Sequence, residues 1–447
     1  MKTVFITCFF NLVVRNVLAT AFFRVLKARK DLRLVLLVPE GKRDFFQKEF
    51  GGGNVVLEEV PFRKLSRINL FFHVWSWHLL STRSKKIHKL VQLGKSCNYF
   101  QYFITSLIAW SGKFSLARRL FRWLDYRLVP GGGVNDLFEK YDPVAVFASD
   151  IQDLRAQEYS DTYFIREARR RGVFSVGMSR SWDSMSTKGL LRTLPDLLVV
   201  QSENIKDQAV QYHNVPADII RVVGTPHYDF YLTGQRRPRA DFFRAFGLDP
   251  AKKLVLVALS SDIWTGDSNN NPYLLEAFAG LDSQVIARFP IFGGVNLGDF
   301  KLPTNVVLDA PRHTAKLEEA FLSREDDEHL ADLLYHSDVV VTGPSSIVLD
   351  AAIFGKPVVL VGFDGEKTKP LWASLRRYYE YEHQQAVICS GELKIAKNRE
   401  ELVGLIRHYL ANPQDGQGGR QRVAEGVCYK LDGKSGERLA EVILENL

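Results

Sequence analysis

The feature that most constrains this chain is a strand, helix and strand pattern in its C-terminal third. A helical segment ends near His336, and the apolar run 338–341 follows it. A five-residue turn then leads into a helical stretch that ends at Phe354, and a second apolar run covers 357–361. Short apolar runs separated by a helix predict two buried parallel strands joined by a crossover helix. The chain is therefore predicted to contain a parallel sheet with helices on its faces.

The turn between these two runs has the sequence Thr342-Gly343-Pro344-Ser345-Ser346. Ligands of open parallel sheets bind outside the carboxyl ends of the strands, and the N–H groups that open a helix there attract anions. We therefore expect this turn to bind a phosphate group. The alternative is an ordinary loop, in which Gly343 and Pro344 make the turn and Ser345 caps the helix.

The same alternation of strands and helices extends along the whole chain. A length of 447 residues is too great for one ordinary core and predicts two domains of roughly 200 residues each. The predicted fold is α/β, with two doubly wound, Rossmann-like domains that face a cleft. The other predicted strands are 3–9, 33–38, 55–60, 144–148, 174–177, 197–201, 221–223, 254–259, 284–289 and 306–308.

The segment around the turn resembles the donor-binding half of GT-B glycosyltransferases. Within that fold it is most similar to the CDP-glycerol glycerophosphotransferase and bacterial surface-polysaccharide transferase group, whose segment has the form T-D-x-S-S-x-x-x-D. Thr342, Ser345, Ser346 and Asp350 match this form, and Gly343 replaces the acidic residue. The resemblance implies that Asp350 binds a donor hydroxyl or holds the loop.

Two further segments resemble the same group. A basic residue followed by His-Pro is common in it, and here Arg288 and Pro290 match while Phe289 stands in place of the His. This departure puts glycerophosphate chemistry in doubt. Arg288 is still expected to bind the donor's pyrophosphate, because a guanidinium group suits paired oxyanions. Ser260, which follows the predicted strand 254–259, is included among the expected donor-binding residues.

The domain boundaries are predicted from two motifs. Residues 222–229 have the form V-x-G-x-P-x-x-D, which resembles the junction between domains in GT-B enzymes and in non-hydrolysing sugar-nucleotide epimerases. Residues 432–438 resemble the D-G-x-S-x-E-R ending of the transferase group, where a terminal helix packs back near the cleft. We therefore predict an acceptor-side domain at 1–224, a donor domain at 225–430 and a returning helix at 431–447.

Candidate catalytic residues lie in the first domain. Asp150 follows a predicted strand, and Asp183 lies in a long loop after another. A carboxylate at this edge could act as general base on an acceptor hydroxyl, and we favour Asp183 over Asp150. His227 could also reach the cleft, although a lone His near a hinge is more often structural. Trp182 and Lys188 flank Asp183 and are assigned to the acceptor or cleft loop, the alternative being that Asp183 caps a helix while Lys188 is solvated.

Positive charge is concentrated in residues 61–130. This segment has thirteen Lys and Arg residues and one acid, Asp125, whereas the whole chain has a net charge of +8. Aromatic residues alternate with the basic groups, which predicts helices that lie on an anionic membrane surface. The residues expected to contact the membrane are Arg118, Arg119, Arg122, Trp75, Trp77 and Trp110. Two alternatives are helices that pack their aromatic residues inward and a surface that binds nucleic acid.

Other features predict a cytoplasmic protein on the inner face of the cell membrane. The four cysteines have no metal-ligand or disulfide spacing, and the N-terminus lacks the pattern of a signal peptide. No apolar run approaches the 18 or so residues of a membrane-spanning helix. No metal and no cofactor is expected, because backbone dipoles and Arg, Ser or Thr groups can stabilise a departing nucleotide diphosphate.

Three functions are consistent with these patterns. The first is a nucleotide-dependent transferase of cell-envelope polysaccharide synthesis, which moves a sugar, or alternatively glycerol phosphate, to a lipid-linked or glycan acceptor. The second is a non-hydrolysing UDP-GlcNAc-type 2-epimerase, which a basic aromatic segment fits poorly. The third is a catalytically silent binding subunit, suggested by Phe289 before Pro290. We favour the transferase, with a nucleotide-sugar or CDP-glycerol as the donor.

Overall fold

A computed structural model describes residues 1–10, 12–62, 64–131, 133–152, 160–267, 269–291, 293–310 and 324–447. The chain divides into two compact units by its internal packing. Unit 1 comprises Met1–Leu232 and Val427–Leu447, and unit 2 comprises Thr233–Gly426. Residues 225–232 and 427–430 were both expected in the donor domain, and both belong to unit 1.

Unit 1 contains, among the described residues, a seven-stranded sheet in the order β3-β2-β1-β4-β5-β6-β7, and every neighbouring pair is parallel. The order reverses between β1 and β4, which is where open α/β sheets bind ligands. The strands are β1 Lys2–Thr7, β2 Leu32–Pro39, β3 Val55–Val60, β4 Ala145–Ala148, β5 Phe174–Met178, β6 Leu197–Val200 and β7 Ile220–Val222.

Unit 2 contains a parallel sheet of six described strands in the order β10-β9-β8-β11-β12-β13, with its reversal between β8 and β11. Both sheets thus have the doubly wound topology predicted from the sequence. The strands are β8 Leu254–Ala258, β9 Gln284–Arg288, β10 Val306–Asp309, β11 Val339–Thr342, β12 Val358–Val361 and β13 Lys394–Ala396.

The central strands are buried on both faces, which explains why they appear in the sequence as continuous apolar runs. All four residues of β11 and all four of β12 are buried. In unit 2, Val255, Val339 and Val359 form part of one hydrophobic core beneath the flanking helices. Parallel sheets covered on both faces have this pattern, because side chains alternate between two buried surfaces.

Helices cover the sheets and form a separate layer between β3 and β4. Those of unit 1 up to β6 are α1 Ala21–Lys27, α2 Arg43–Phe50, α3 Arg67–Leu79, α4 Arg83–Ser96, α5 Tyr99–Ser111, α6 Ser115–Leu128, α7 Asn135–Tyr141, α8 Asp161–Arg171 and α9 Ser184–Thr187, with a π-helix at Val14–Leu18. The helices from α10 to α14 are α10 Glu203–His213, α11 Asp229–Thr233, α12 Arg239–Ala245, α13 Asp262–Thr265 and α14 Asn270–Glu276, with 3₁₀ helices at Ala217–Ile219 and Pro226–Tyr228.

The remaining helices are α15 Arg324–His336, α16 Ile347–Ile353, α17 Arg376–Tyr379, α18 Glu382–Gly391, α19 Arg399–Ala411, α20 Gln417–Cys428 and α21 Ser435–Leu444. The helices α3 to α6 occupy the basic segment, so the predicted helical insertion in the first domain is present. Within the described residues, no helix is both long and apolar enough to cross a membrane.

The C-terminal motif fixes α21 against unit 1. Asp229 accepts hydrogen bonds from the backbone N–H groups of Ser435 and Gly436 at 3.0 and 2.8 Å, which caps the start of α21. Arg438 forms a salt bridge with Asp432 at 2.8 Å and donates to the Val223 carbonyl oxygen at 2.9 Å. The two sequence motifs at 222–229 and 432–438 are therefore partners in one structural contact.

Candidate functional site

The carboxyl edge of the unit 2 sheet brings two predicted donor residues together. Gly343 follows β11, and a Cβ atom at this position would lie only 2.8 Å from the Ser260 hydroxyl oxygen, which follows β8. A side chain at residue 343 would therefore require the Ser260 hydroxyl to move away. Thr342 is buried, and its hydroxyl has no hydrogen-bond partner among the described residues.

The rest of the 342–346 turn presents hydroxyl groups to solvent. Pro344 is half-buried, whereas Ser345 and Ser346 are exposed. The Ile347 N–H lies 3.5 Å from the Ser345 hydroxyl, which is the upper limit for a hydrogen bond, and the Ser346 side chain makes no cap. The two hydroxyls are thus available to an anion, whereas the Val348 and Leu349 N–H groups in the first turn of α16 already donate to the Ser345 and Ser346 carbonyl oxygens at 3.4 and 2.8 Å.

Arg288 is less available than the sequence suggested. It is buried at the end of β9 and pairs with Asp309, which also accepts a hydrogen bond from His329 Nε2 at 2.7 Å. Burial alone would raise the pKa of Asp309, but the His329 hydrogen bond and the Arg288 charge outweigh it and lower that pKa. The charge of Arg288 is therefore already compensated. Its contact with a pyrophosphate stays a prediction.

Two other predicted or neighbouring residues of unit 2, Phe289 and Asp350, have surroundings that suit a role in the fold. Phe289 packs against the unit 2 core, which accounts for an aromatic residue where the related group has His. Asp350 is buried on α16, one turn beyond Ser346. This burial suits a residue that holds the loop, and its contact with a donor hydroxyl stays a prediction.

Asn271 is a site residue that sequence reasoning missed. Its side-chain oxygen accepts from the Ser260 N–H at 3.2 Å, and its side-chain nitrogen donates to the Ser260 carbonyl oxygen at 2.8 Å. These bonds fix the loop after β8 against Gly343. The only signal in the sequence is the run of three asparagines at 269–271, which gives no indication of which one faces the loop.

In unit 1, Asp150 lies at the carboxyl end of β4 and pairs with Arg180 at 2.9 Å. Arg180 also stacks on Phe10, with its guanidinium carbon 3.6 Å from the ring centre. The second carboxylate oxygen of Asp150 is buried and has no hydrogen-bond partner among the described residues. Asp150 and Arg180 help to line a cavity of about 10 Å³, which is the size of one water molecule.

The long loop after β5 contains Asp183 and Lys188. Asp183 is half-buried and accepts a hydrogen bond from the Thr187 hydroxyl at 3.3 Å. Lys188 is buried and donates to the Ser184 hydroxyl at 2.7 Å, so the alternative of a solvated Lys188 is wrong. Burial, and then the charge of Arg180, lowers the pKa of Lys188 to about 8. Trp182 packs against a hydrophobic core that includes Ala148 and Leu198, and this supports the loop.

His227 lies in the 3₁₀ helix after β7, and its ring centre is 4.1 Å from that of Tyr228. Its Nδ1 atom is buried and has no hydrogen-bond partner among the described residues. Burial and the charge of Arg15 lower the pKa of His227 well below its usual value. The ring is therefore neutral near pH 7 and can accept a proton only weakly.

Three buried polar side chains near Asp150 were not predicted. Gln152 donates to the Ser184 carbonyl oxygen at 3.1 Å, and Gln201 donates to that of Ser179. The side-chain oxygens of all three, Gln152, Ser179 and Gln201, have no hydrogen-bond partner within the described residues. These oxygens suit hydroxyl groups of a ligand. They come from separate loops after β4, β5 and β6, so no sequence motif marks them.

The structure corrects two of the predicted membrane contacts. Arg118 is buried and donates to the carbonyl oxygens of Gln211 and Tyr212 at 2.8 and 2.6 Å. Arg122 donates to those of Leu191 and His213. The carbonyl groups of Gln211, Tyr212 and His213 are at the end of α10, where a positive charge is favourable. They are structural residues, and they cannot contact lipid without leaving these bonds.

The other predicted contacts differ in exposure. Trp77 is half-buried, and the Lys85 ammonium lies 3.1 Å from the centre of its ring. Arg119, Trp75 and Trp110 are exposed. The exposed side chains therefore remain candidates for a membrane contact, and Trp77 belongs to the packing of α3 against α4.

The described residues contain no group of three or more His, Cys, Asp or Glu side chains that could hold a metal ion. The sites above are thus built from hydroxyl, amide, carboxylate and basic groups of the two units.

Comparison with known proteins supports the fold and one family resemblance. Residues 307–445, about a third of the chain, match the family of CDP-glycerol:poly(glycerophosphate) glycerophosphotransferases. This segment contains the 342–346 turn, Asp350 and the C-terminal motif. No curated protein matches the chain.

Solved structures match over the whole chain at low identity. UDP-GlcNAc 2-epimerase from Neisseria meningitidis, solved with UDP-GlcNAc, has a TM-score of 0.52 at 12% identity, with 100% of both chains covered. A glycosyltransferase from Rickettsia africae has a TM-score of 0.51 at 10% identity, with 100% of this chain and 99% of the other covered. The calicheamicin glycosyltransferase CalG4 has a TM-score of 0.52 at 13% identity, with 100% and 98% covered. At such identities the comparison shows the fold, and it confirms the predicted two-domain, Rossmann-like GT-B fold.

Proposed function

We propose that this protein is a nucleotide-dependent transferase that moves a sugar to a membrane-associated glycan or lipid-linked acceptor. The observation that carries the proposal is the carboxyl edge of the unit 2 sheet. There Gly343 meets Ser260, and the exposed hydroxyls of Ser345 and Ser346 stand at the start of α16. This turn lies inside the segment that matches a family of nucleotide-dependent transferases. Glycerol phosphate is the second candidate for the transferred group, because that family transfers it.

The donor is assigned to unit 2. The diphosphate would accept hydrogen bonds from the Ser345 and Ser346 hydroxyls and from the Ile347 N–H, whose contact with the Ser345 hydroxyl is long at 3.5 Å. Negative charge grows on the leaving diphosphate during transfer, and donors already in position stabilise it without reorganisation. Arg288 would add electrostatic attraction only in part, because Asp309 compensates its charge. The proposal requires no metal ion and no cofactor.

The acceptor is assigned to unit 1, with Asp183 as general base. Asp183 is half-buried and beside a hydroxyl donor, whereas Asp150 is held in an ion pair with Arg180. Arg180 occupies one carboxylate oxygen of Asp150, so only the other oxygen is left for an acceptor hydroxyl. Asp150 is therefore the second candidate, and its free oxygen suits a contact with an acceptor hydroxyl. His227 is the third.

The acceptor would be reached at a membrane surface. The helices α3, α5 and α6 expose many large apolar side chains, including Phe71, Phe100, Trp110 and Trp123. The segment's one acid, Asp125, is buried and paired with Arg166 and Arg192. An apolar surface with exposed cations and no exposed acid suits the interface of an anionic membrane. We therefore assign the protein to the inner face of the cell membrane, as a peripheral protein.

The test is a product assay with the purified protein, membrane vesicles and either UDP-GlcNAc or CDP-glycerol. The proposal predicts that nucleotide is released only when vesicles that contain lipid-linked glycan are added. Conversion of UDP-GlcNAc to its 2-epimer without vesicles would instead establish the epimerase alternative. Lack of reaction with every donor would support a silent binding subunit.

Variants of the two carboxylates extend the same assay. Asp183→Asn should lower turnover by roughly 10² to 10⁴, which is the usual contribution of a general base, and should leave donor affinity unchanged. Asp150→Asn should have a smaller effect on turnover. Near-normal turnover in Asp183→Asn would reject its role and leave Asp150 or His227 as the base.

A further inference from the structure

The three consecutive asparagines at the start of α14 have different surroundings. Asn269 is exposed, and Asn271 is buried with its amide bonded to the Ser260 backbone. Asn270 is only 7% exposed, and neither its side-chain oxygen nor its side-chain nitrogen has a hydrogen-bond partner among the described residues. The choice of which terminal atom is oxygen does not affect this, because both atoms lack a partner. A buried amide of this kind is unfavourable unless it has another role.

The position of Asn270 follows from the order of the strands. β11 lies between β8 and β12 in the sheet. Asn271 bonds to Ser260 in the loop after β8. Gly365 lies in the loop after β12, and a Cβ atom at this position would be 3.2 Å from the Asn270 side-chain oxygen. The start of α14 therefore spans the carboxyl end of β11. That end is Thr342, whose buried hydroxyl also has no partner within the described residues.

The chemistry of an amide limits what can bind there. Its nitrogen donates hydrogen bonds and can bind a phosphate oxygen or a hydroxyl. Its oxygen only accepts, and a diphosphate diester at neutral pH has no proton to donate to it. A ligand that satisfies both atoms must therefore carry a hydroxyl or N–H group as well as its phosphates. In a nucleotide-activated donor, that group belongs to the base, the ribose or the transferred moiety.

We propose that Asn270 determines specificity for the donor by binding a hydroxyl of the transferred sugar or polyol beside the phosphate-binding turn. This inference rests on the proposed function. The transferred moiety is favoured over the base and the ribose because the start of α14 spans the end of β11, where the diphosphate of the donor is assigned, and the transferred moiety is attached to that diphosphate. Gly365 supports this geometry, since its φ of +79° and the lack of a side chain leave the loop close to the amide.

The experiment measures calorimetric affinity of the full chain for UDP, UDP-GlcNAc, CDP and CDP-glycerol. Asn270→Ala should weaken binding of the preferred complete donor by about tenfold, which is typical of one lost hydrogen-bonding group, and should leave the matching nucleoside diphosphate within about twofold. Asn269→Ala is the matched control and should change neither affinity.

Each other outcome contradicts the proposal in a distinguishable way. An equal loss for the diphosphate and the complete donor would assign Asn270 to the nucleotide and overturn the inference alone. Unchanged affinity in Asn270→Ala would also overturn it while leaving the proposed function intact. A wild-type chain that binds none of the four compounds would overturn both.

A second measurement separates a ligand-binding role from a structural one. Asn270→Leu removes the amide with little change in volume, so its melting temperature should equal or exceed that of the wild type. Asn271→Leu removes two bonds to the Ser260 backbone and should melt at a lower temperature. A similar loss in both variants would show that Asn270 serves the fold and would overturn the proposal.

Discussion

At the residue scale, the basic residues of the segment 61–130 have different surroundings, which a count of charges does not show. Arg118 and Arg122 lie in a segment with thirteen basic residues, yet both bind backbone carbonyl groups around the end of α10. Arg119, between them, is exposed. Helical spacing predicts that neighbours face different directions, but it does not show which direction is inward, because the acceptors lie about 90 residues away in the chain.

A residue-scale prediction concerns His213, which ends α10. The Leu191 N–H donates to its Nδ1 at 3.1 Å, and its Nε2 lies 2.8 Å from the Met185 carbonyl oxygen, so the ring is neutral. Burial, reinforced by the charges of Arg122, Arg118 and Lys85, lowers its pKa to about 3. The unfolded chain takes up this proton near pH 6.5, and the folded chain does not. Stability should therefore fall as the pH falls from about 6.5 towards 3, by about 1.4 kcal/mol per pH unit.

The measurement is the free energy of unfolding in urea between pH 7 and pH 4.5. His213→Gln lowers stability at pH 7, because two hydrogen bonds are disturbed, but it should flatten the pH dependence by about one proton. Gln414→Ala, at an exposed position without a titrating group, is the control and should retain the wild-type slope. If the free energy of unfolding of His213→Gln depended on pH as steeply as that of the wild type, His213 would not be the source of this pH dependence.

At the element scale, α5 exposes a row of large apolar side chains that the rest of the described chain does not cover. Its side chains at spacings of three and four, Tyr99, Phe103, Leu107 and Trp110, are 73, 64, 52 and 55% exposed. Thr105 and Ala109 face the other way and are buried. The sequence predicted helices with aromatic residues over the segment 61–130, which includes α5. The structure adds that the aromatic side is the exposed one, which favours membrane contact over the inward-packed alternative.

The corresponding prediction uses sedimentation with lipid vesicles. The protein should bind anionic vesicles more strongly than neutral ones, and 1 M salt, where the Debye length is about 3 Å, should release it in part. Replacing Phe100, Phe103 and Trp110 by Ser should weaken binding by about tenfold or more, because each inserted aromatic side chain contributes on the order of 1 kcal/mol or more. The melting temperature should not fall, since these side chains are exposed.

The control for this experiment is Ile263→Ser with Trp264→Ser, which removes two exposed apolar side chains from unit 2. This pair should bind vesicles as the wild type does. Equal recovery of the wild type with neutral and anionic vesicles, or full binding by the α5 variant, would contradict a membrane-contact role for this helix.

At the scale of the whole molecule, the sequence predicts architecture better than it predicts contacts. Buried parallel strands appear as apolar runs, so β12 was predicted within one residue of its observed bounds and the doubly wound topology was predicted. The edge strand β13 was missed, because Lys394–Ala396 is short and begins with an exposed Lys. In a sheet edge, only part of the strand is buried, so its apolar pattern is weak.

In the candidate site, too, a continuous segment could be predicted from the sequence, whereas contacts between distant residues could not. The 342–346 turn was predicted because one continuous segment forms it. Asn270, Gln152 and Gln201 were missed because their roles depend on loops that come together only in the folded sheet. The partnership of Asp229 with Ser435 was also beyond prediction from the sequence, since about 200 residues separate them. The sequence contained both motifs without indicating that they touch.

The central claim is that the turn after β11 binds the diphosphate of a nucleotide donor, and calorimetric titration with UDP and CDP tests it most directly. We expect the wild type to bind at least one of them and Ser345→Ala with Ser346→Ala to weaken this binding by roughly tenfold to a hundredfold, because two hydrogen bonds to an anion are lost. Ser390→Ala, in α18, should bind as the wild type does. Unchanged affinity in the double variant would contradict the claim.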